Sequence, residues 1–486
     1  MTILVDVHLV SGRGVTLATE ADDSVLALKK RAQSAFEVAG GRLLNCSGGV
    51  LNGTASVEQA GLQTGDALTL LVKLHQVIAS KRRKFCVGAA FAAIRDDGCV
   101  VTWGHADFGG DSRAVQDRLH NVQHIQSGFR AFAAILDDGS VVTWGDPRHG
   151  GDCSAVQHQL KNVRQIQASS LAFAAILDNG SVVTWGDADG GDSSAVQDRL
   201  VNVQHIQATY RAFAAILDDR SVVTWGDAEY GGDSSSVYHF NNVQQIHASY
   251  AAFAAVLGDG CVVAWGDAEY GGDSRAVQHL LSGVQQMQAS FGAFAAILSD
   301  ASVVTWGDAK YGGDSSTIQD RLRNVQHIES THTAFAAILD DGSVVTWGDA
   351  GQGGDSSAVQ HMLQDVKSMS ATSAAFAAVL GDGSVVTWGD SQSGGDSSFV
   401  HSRLQDVQSI QAANNAFAAI RVDGSVVSWG DARFGGDSSS VQHQLRHVQQ
   451  IQSSSKAFCA VLSDGSVVTW GCADCGGDSS AVRCQF

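Results

Sequence analysis

One arrangement of apolar and polar positions returns along most of this chain. Ten tryptophans, from Trp103 and Trp144 to Trp429 and Trp470, follow one another at steps of 40 or 41 residues. Each has a phenylalanine twelve residues before it, as in Phe91 and Trp103, Phe173 and Trp185, or Phe253 and Trp265. A fixed period of this length marks a repeat architecture with one supersecondary unit per copy. Differences in length fall between a tryptophan and the next phenylalanine, as in WGDADGGD from Trp185 against WGDAEYGGD from Trp225. Loops absorb deletions, so that segment reads as connection and the invariant block as core.

The block at 172–186, AFAAILDNGSVVTWG, predicts a hairpin. Two runs rich in valine, isoleucine and aromatics flank an Asp-Asn-Gly or Asp-Asp-Gly turn, whose glycine supplies the positive φ of a tight reversal. In the first run Phe173, Ala175 and Leu177 alternate with Ala172, Ala174 and Ile176, so both faces are apolar and neighbouring copies must cover them. A third strand is expected at 203–208, VQHIQA, although Val203 and Ile206 stand three apart and break strict alternation. GGDSSAVQDRL, 190–200, reads as a polar loop holding one helical turn.

The N-terminal residues carry no copy of the block. MTILVDVHLV and GVTLATE predict two strands about a glycine turn, then a helix beginning near Asp23 or Ser24, both good N-caps. Residues 42–51 and 67–72 supply two more strands. The expected organisation is a small α+β domain at 1–74 and a mainly β array of ten short repeats at 75–486.

Composition narrows the functions open to such an array. Of 486 residues 44% are apolar, enough for a large buried core. Lysine and arginine number 31 against 50 acids, a formal charge of −19, which repels nucleic acid and anionic membrane surfaces. One proline and 54 glycines leave the turns to glycine, aspartate and asparagine. No run approaches the roughly 18 apolar residues of a membrane span, and Asp6 and His8 interrupt the place of a signal sequence. A soluble monomer of the cytoplasm or nucleus is expected. The basic run KRRK, Lys81 to Lys84, is either an import signal or the solvent face of a strand. Nine cysteines, unevenly placed, suit free thiols. Cys472 and Cys475, with Cys484 beyond, lack a fourth metal ligand and read as loop cysteines, so no metal or other cofactor is expected.

The string AFAAILDDGSVVTWG at 131–145 and 334–348 resembles the signature hairpin of the regulator of chromosome condensation repeat family, and NVQQI at 242–246 is similar to that family's preceding strand. The resemblance covers about residues 77–486 and implies a β-propeller. Two departures stand out: alanine (Ala131, Ala172, Ala334) replaces the family's histidine, and GGDSS replaces its glycine-leucine-glycine motif. The repeat is also short, closer to the compact propeller of a bacterial β-lactamase inhibitor protein. Propellers usually close with about four to eight blades, so ten copies imply one wide ring or an open spiral, the ten-unit ring being favoured. Residues 1–74 resemble ubiquitin-like (β-grasp) domains. That resemblance places Val10, Leu44 and Leu71 where the family presents its apolar binding patch, unless they are ordinary strand residues facing the domain core. No diglycine follows VKLHQV, so the head would dock and not be conjugated.

Candidate chemistry is sparse. No serine or cysteine has a fixed histidine partner, so a non-enzymatic role is expected. The tryptophans could be light sensors, as in plant ultraviolet receptors that resemble the same family, but Phe173, Trp185, Phe253 and Trp265 read first as core. Asp187, Asp189 and Asp192 are spaced somewhat like a calcium loop, yet Lys310 replaces the middle acid in another copy, which favours turn-forming aspartate. Asp192, Asp233 and Asp273 should form an acidic rim for a basic protein surface. The reading is an adaptor joining ubiquitin-pathway machinery to a second protein. The alternatives are a nucleotide-exchange factor or other regulator of a small GTPase, and a substrate-binding subunit of a ubiquitin ligase.

Overall fold

The computed structural model describes residues 2–9, 14–36, 41–71, 76–80, 88–95, 97–235, 237 and 241–482, the side chains of Leu9 and Leu71 excepted. Four strands and a helix occupy the N-terminal part: β1 (Thr2–Leu9), β2 (Gly14–Glu20), α1 (Val25–Phe36), β3 (Arg42–Leu44) and β4 (Ala67–Leu71). The sheet runs β2-β1-β4-β3, with β1 antiparallel to β2 and parallel to β4. Val25, Leu28, Ala32 and Phe36 recur at helical spacing and bury one face of α1 against Ile3, Val5, Val7 and Leu70. Each large side chain so buried contributes about 1.5–3 kcal/mol. Ser24 caps the helix, its hydroxyl accepting the Ala27 N–H at 3.1 Å. Asp23 instead closes the preceding turn, accepting the Glu20 N–H at 2.9 Å and pairing with Arg31.

Only 42–44 of the stretch 42–51 is strand. The Asn45 carboxamide oxygen accepts the N–H groups of Ser47 (3.2 Å) and Gly49 (2.7 Å), a side-chain turn that reverses the chain before Val50 bridges back to Leu44.

The rest is mainly β: ten three-stranded antiparallel sheets, one per tryptophan, numbered here as units 1 to 10. In unit 3 the strands are Val163–Ala168, Ala172–Leu177 and Val182–Gly186, termed inner, middle and outer. Phe173 lies directly across from Trp185, and the two rings stack with centres 5.4 Å apart. The twelve-residue spacing is therefore a cross-strand pair. The three-residue step in the inner strand is a β-bulge: in unit 4 Val203 faces Leu217, the register slips, and Ile206 faces Ala215. One extra residue changes the parity of the pleat, so Val203 and Ile206 are both fully buried. The residue before each bulged strand has a left-handed backbone, as at Asn202 (φ 54) and Asp365 (φ 53), a conformation asparagine and aspartate tolerate.

Successive units share their cores. The middle-strand face of unit 3, Ala172, Ala174 and Ile176, receives Phe213 and Trp225 of unit 4. Alanine suits this face because it leaves room for two stacked rings from the neighbour. In most units the indole N–H then donates to a glycine carbonyl of the preceding unit, as from Trp144 to Gly109 (3.0 Å) and from Trp265 to Gly231 (3.1 Å), Trp225 being the exception. The same contact joins the two ends of the series: Trp103 donates to Gly476 at 3.1 Å, and Phe91 and Trp103 share a cluster with Ala457, Cys459 and Cys475. The inner strands also neighbour one another throughout, that of unit 10 lying beside that of unit 1. Unit 10 thus touches unit 1 through the same bond and shared cluster seen between most neighbours.

Candidate binding face

The turn from inner to middle strand gathers at one end of the array. Backbone bonds link these turns from unit to unit: Ser170 N–H to Tyr210 O (3.1 Å), Tyr210 to Tyr250 (3.0 Å), Tyr250 to Phe291 (3.1 Å), Phe291 to His332 (3.1 Å) and His332 to Ser373 (3.0 Å). A second segment, the short helical turn after each outer strand, joins the same end. In unit 4 the Thr209 hydroxyl donates to the Tyr230 carbonyl at 2.8 Å, and in unit 5 Ser249 donates to Tyr270 at 2.7 Å. Each unit therefore presents two side chains there, one from each turn.

In units 4 to 6 those side chains are aromatic. Tyr210 and Tyr250 have ring centres 4.8 Å apart and Tyr250 and Phe291 4.3 Å, while Tyr230, Tyr270 and Tyr311 form a flanking row. His332 continues the arc, 5.9 Å from Phe291. The same places hold Ser373 and Ser393 in unit 8 and Ser455 and Cys475 in unit 10. All seven arc residues are half-buried, so each ring keeps one part in solvent. Tyr210, Tyr250, Phe291 and His332 border an open depression of about 440 Å³ whose lining runs from Ser169 to Asn414. Below it the inner strands turn polar side chains toward the middle of the array, Gln167 donating to Gln207 at 3.2 Å across the unit boundary.

Histidines on these inner strands respond to their surroundings. Burial holds His124, His205 and His247 below the usual histidine range, whereas the Glu329 carboxylate, 3.7 Å from His327, holds that imidazole above it.

The residues singled out from the sequence lie elsewhere. Phe173, Trp185, Phe253 and Trp265 are buried between units, Trp265 at 1% exposure. Asp192, Asp233 and Asp273 each close a loop, the carboxylate accepting the N–H of Ser194 (2.8 Å), Ser235 (2.8 Å) and Arg275 (3.0 Å). These bonds hold Asp192 and Asp233 below the usual carboxylate range. The Arg275 guanidinium, with its backbone N–H, brings Asp273 down to about 2. Ser234, next to Asp233, bonds Thr224 of the outer strand at 3.0 Å, so this aspartate stands on the outer side, away from the depression. Asp187 caps the next turn, accepting the Asp189 N–H at 2.9 Å. Leu44 is half-buried at the end of β3. Val10, the side chain of Leu71, Lys81 to Lys84 and Cys484 lie outside the described residues. Cys475 is buried at the join of units 10 and 1, and Cys472 stands where most units have the capping aspartate.

The aromatic arc escaped the reading by periodicity because its residues are the ones that do not repeat. Its trace is visible when copies are aligned on AF: SSLAF, TYRAF, SYAAF, SFGAF and THTAF differ just where the rest agrees.

The architecture is thus a mainly β array of repeated three-stranded sheets, preceded by a four-stranded sheet with one helix. No family model and no curated protein matches the chain. Among solved structures, it is similar to Prp20p from Saccharomyces cerevisiae, described with its binding to Gsp1p and histones. The identity is 14%, over 66% of this chain and 82% of that one, with a TM-score of 0.34. The ectodomain of the Arabidopsis thaliana receptor kinase ACR4 is 16% identical, over 57% of this chain and 97% of that one, with a TM-score of 0.31. Caldiarchaeum subterraneum ubiquitin is 18% identical, over 15% of this chain and 95% of that one, with a TM-score of 0.14. None of these likenesses assigns a family or a function.

Proposed function

We propose that this chain is a non-enzymatic protein-binding scaffold: a ten-unit ring of propeller type that holds a partner at its aromatic end, carrying a ubiquitin-like head that docks to ubiquitin-pathway machinery. The observation that carries the reading is the break in repeat symmetry. Ten units share one core, and among the described residues only units 4 to 6 carry tyrosine or phenylalanine at both places, the half-buried Tyr210, Tyr250, Tyr270, Phe291 and Tyr311 among them. Clustered aromatics left partly in solvent are the typical anchors of protein interfaces, since they bury much area at little cost in conformational freedom. The Trp103 contact with Gly476 supports the ring, because it repeats the bond between ordinary neighbours. The parallel β1–β4 pair with α1 packed across it supports the ubiquitin-like head.

The test uses the full chain as bait in a cell extract, with recovered proteins identified by mass spectrometry. Phe291→Ser should remove one set of partners and Leu44→Arg another. Identical recovery by wild type and both variants would refute the reading.

A further inference from the structure

In three units the chain seats its own cation on these rings. Arg130, the residue before the middle strand of unit 2, holds its guanidinium carbon 4.7 Å from the ring centre of Phe108 and 5.6 Å from that of Phe129. The Asp146 carboxylate stands 3.6 Å away. Unit 4 seats its cation on its own two rings instead of a neighbour's: Arg211 lies 5.6 Å from both Tyr210 and Tyr230, and again 3.6 Å from the capping aspartate, Asp227. Unit 10 uses Lys456, 5.1 Å over Phe434. The recurring seat consists of ring faces and, in units 2 and 4, the aspartate that caps the 3₁₀ turn.

Units 5 and 6 keep the seat and lack the cation. The capping aspartates are Asp267 and Asp308, and the rings include Tyr270, Phe291 and Tyr311, but the residue before the middle strand is Ala251 or Gly292. The Tyr311 ring lies 2.5 Å from where a Cβ on Gly292 would stand, so no side chain at that position fits beneath it. Among the described residues neither aspartate has an ion-pair partner, and no cation lies over Tyr270, Phe291 or Tyr311.

We propose that units 5 and 6 receive arginine side chains from an extended basic segment of another protein, seated on Tyr270, Phe291 and Tyr311 with Asp267 and Asp308 as counter-charges. The partner's sign follows from the formal charge of −19 and from exposed Glu229 and Glu269 in the flanking turns, against which Lys310 is the single basic side chain of those three turns. Arginine fits better than lysine, because a planar guanidinium lies flat on a ring while still pairing with a carboxylate. The seats also set the spacing. Tyr270 and Tyr311 have ring centres 6.2 Å apart, and alternate residues of an extended chain point the same way about 6.6 Å apart. The recognised pattern is therefore arginine, any residue, arginine.

This inference rests on the scaffold reading and names the chemistry of its partner. Fluorescence anisotropy of the full chain with a labelled Arg-Gly-Arg-Gly-Arg peptide tests it, against lysine and citrulline counterparts and an oligo-dT strand. The arginine peptide should bind best. Phe291→Ser should weaken it about tenfold with the thermal melt unchanged, and Tyr311→Ser should weaken it likewise, although Tyr311 also packs against the unit 7 core and its loss should lower the melt. Ala251→Arg, at the position Arg211 holds in unit 4, should weaken binding by competing for the seat. Equal binding of the citrulline peptide, tighter binding of oligo-dT, or indifference to Phe291→Ser would overturn the proposal. If arginine peptides fail while Phe291→Ser still strips partners from the full chain in extract, only the arginine assignment falls. If neither responds, the scaffold reading falls with it.

Discussion

Trp225 and Trp265 offer a controlled comparison of one buried hydrogen bond. Both indoles are buried and each stacks on its phenylalanine with ring centres 5.2 Å apart. Trp265 donates to Gly231 at 3.1 Å, whereas the Trp225 N–H is buried and has no acceptor among the described residues. The cause lies one unit earlier. Unit 3 has WGDADGGD, a residue short of WGDAEYGGD, and its turn closes as a brief α-helix, Ala188–Gly191. Elsewhere a left-handed glycine such as Gly150 (φ 86) or Gly231 (φ 90) turns its carbonyl toward the next indole, and neither Gly190 nor Gly191 takes that conformation. Replacing each tryptophan by phenylalanine removes nearly the same apolar area, so the burial terms cancel in the difference. Trp265→Phe also loses a hydrogen bond worth about 1 kcal/mol and leaves a carbonyl unpaired, while Trp225→Phe removes a donor whose burial already costs about 1–3 kcal/mol. Trp265→Phe should therefore be the more destabilising by about 2 kcal/mol. Urea denaturation reads this as a midpoint lower by about 0.7–2 M, given slopes of about 1–3 kcal/mol per molar. Equal losses, or a larger loss for Trp225→Phe, would refute the account of the short loop.

Three further outcomes follow from the geometry. Ala301 stands at φ 61, where most units have glycine, so Ala301→Gly should stabilise the chain by about 1 kcal/mol, checked by thermal melt. Excising one internal unit removes a member of a series whose last unit bonds to its first, so the melting temperature should fall sharply. An unchanged melt would show that the Trp103–Gly476 contact contributes nothing. The histidines should oppose one another on acidification. Burial depresses His205 and His247, so their contribution is present above the unfolded value near 6.5 and is lost as pH falls through that range. His327 is raised, so its contribution is present below about 6.5 and lost as pH climbs through its folded value. His247→Gln should lessen the loss of stability between pH 7 and 5, and His327→Gln should deepen it, both read from melts across that range.

What the amino-acid order determined alone was local. Phe173 and Trp185 face one another across a turn closed by glycine, and no distant residue is needed to bring them together. Apolar residues on both faces of the same strand required cover on both sides, and neighbouring units supply it. Even the irregular Val203–Ile206 step was legible as a departure, though its cause, a bulge, depends on the facing strand.

Tertiary structure decided how the copies assemble. Trp103 and Gly476 are 373 residues apart, and their contact depends on how every intervening unit packs on the next. That packing, stacked rings seated on alanine faces, has no signature in any one copy. The aromatic face was hidden for the same reason: Tyr270 and Tyr311 are separated by a whole repeat and become neighbours only when their sheets stand side by side. Periodicity reports what each unit has in common, whereas this surface is made at the two places where the units differ from one another.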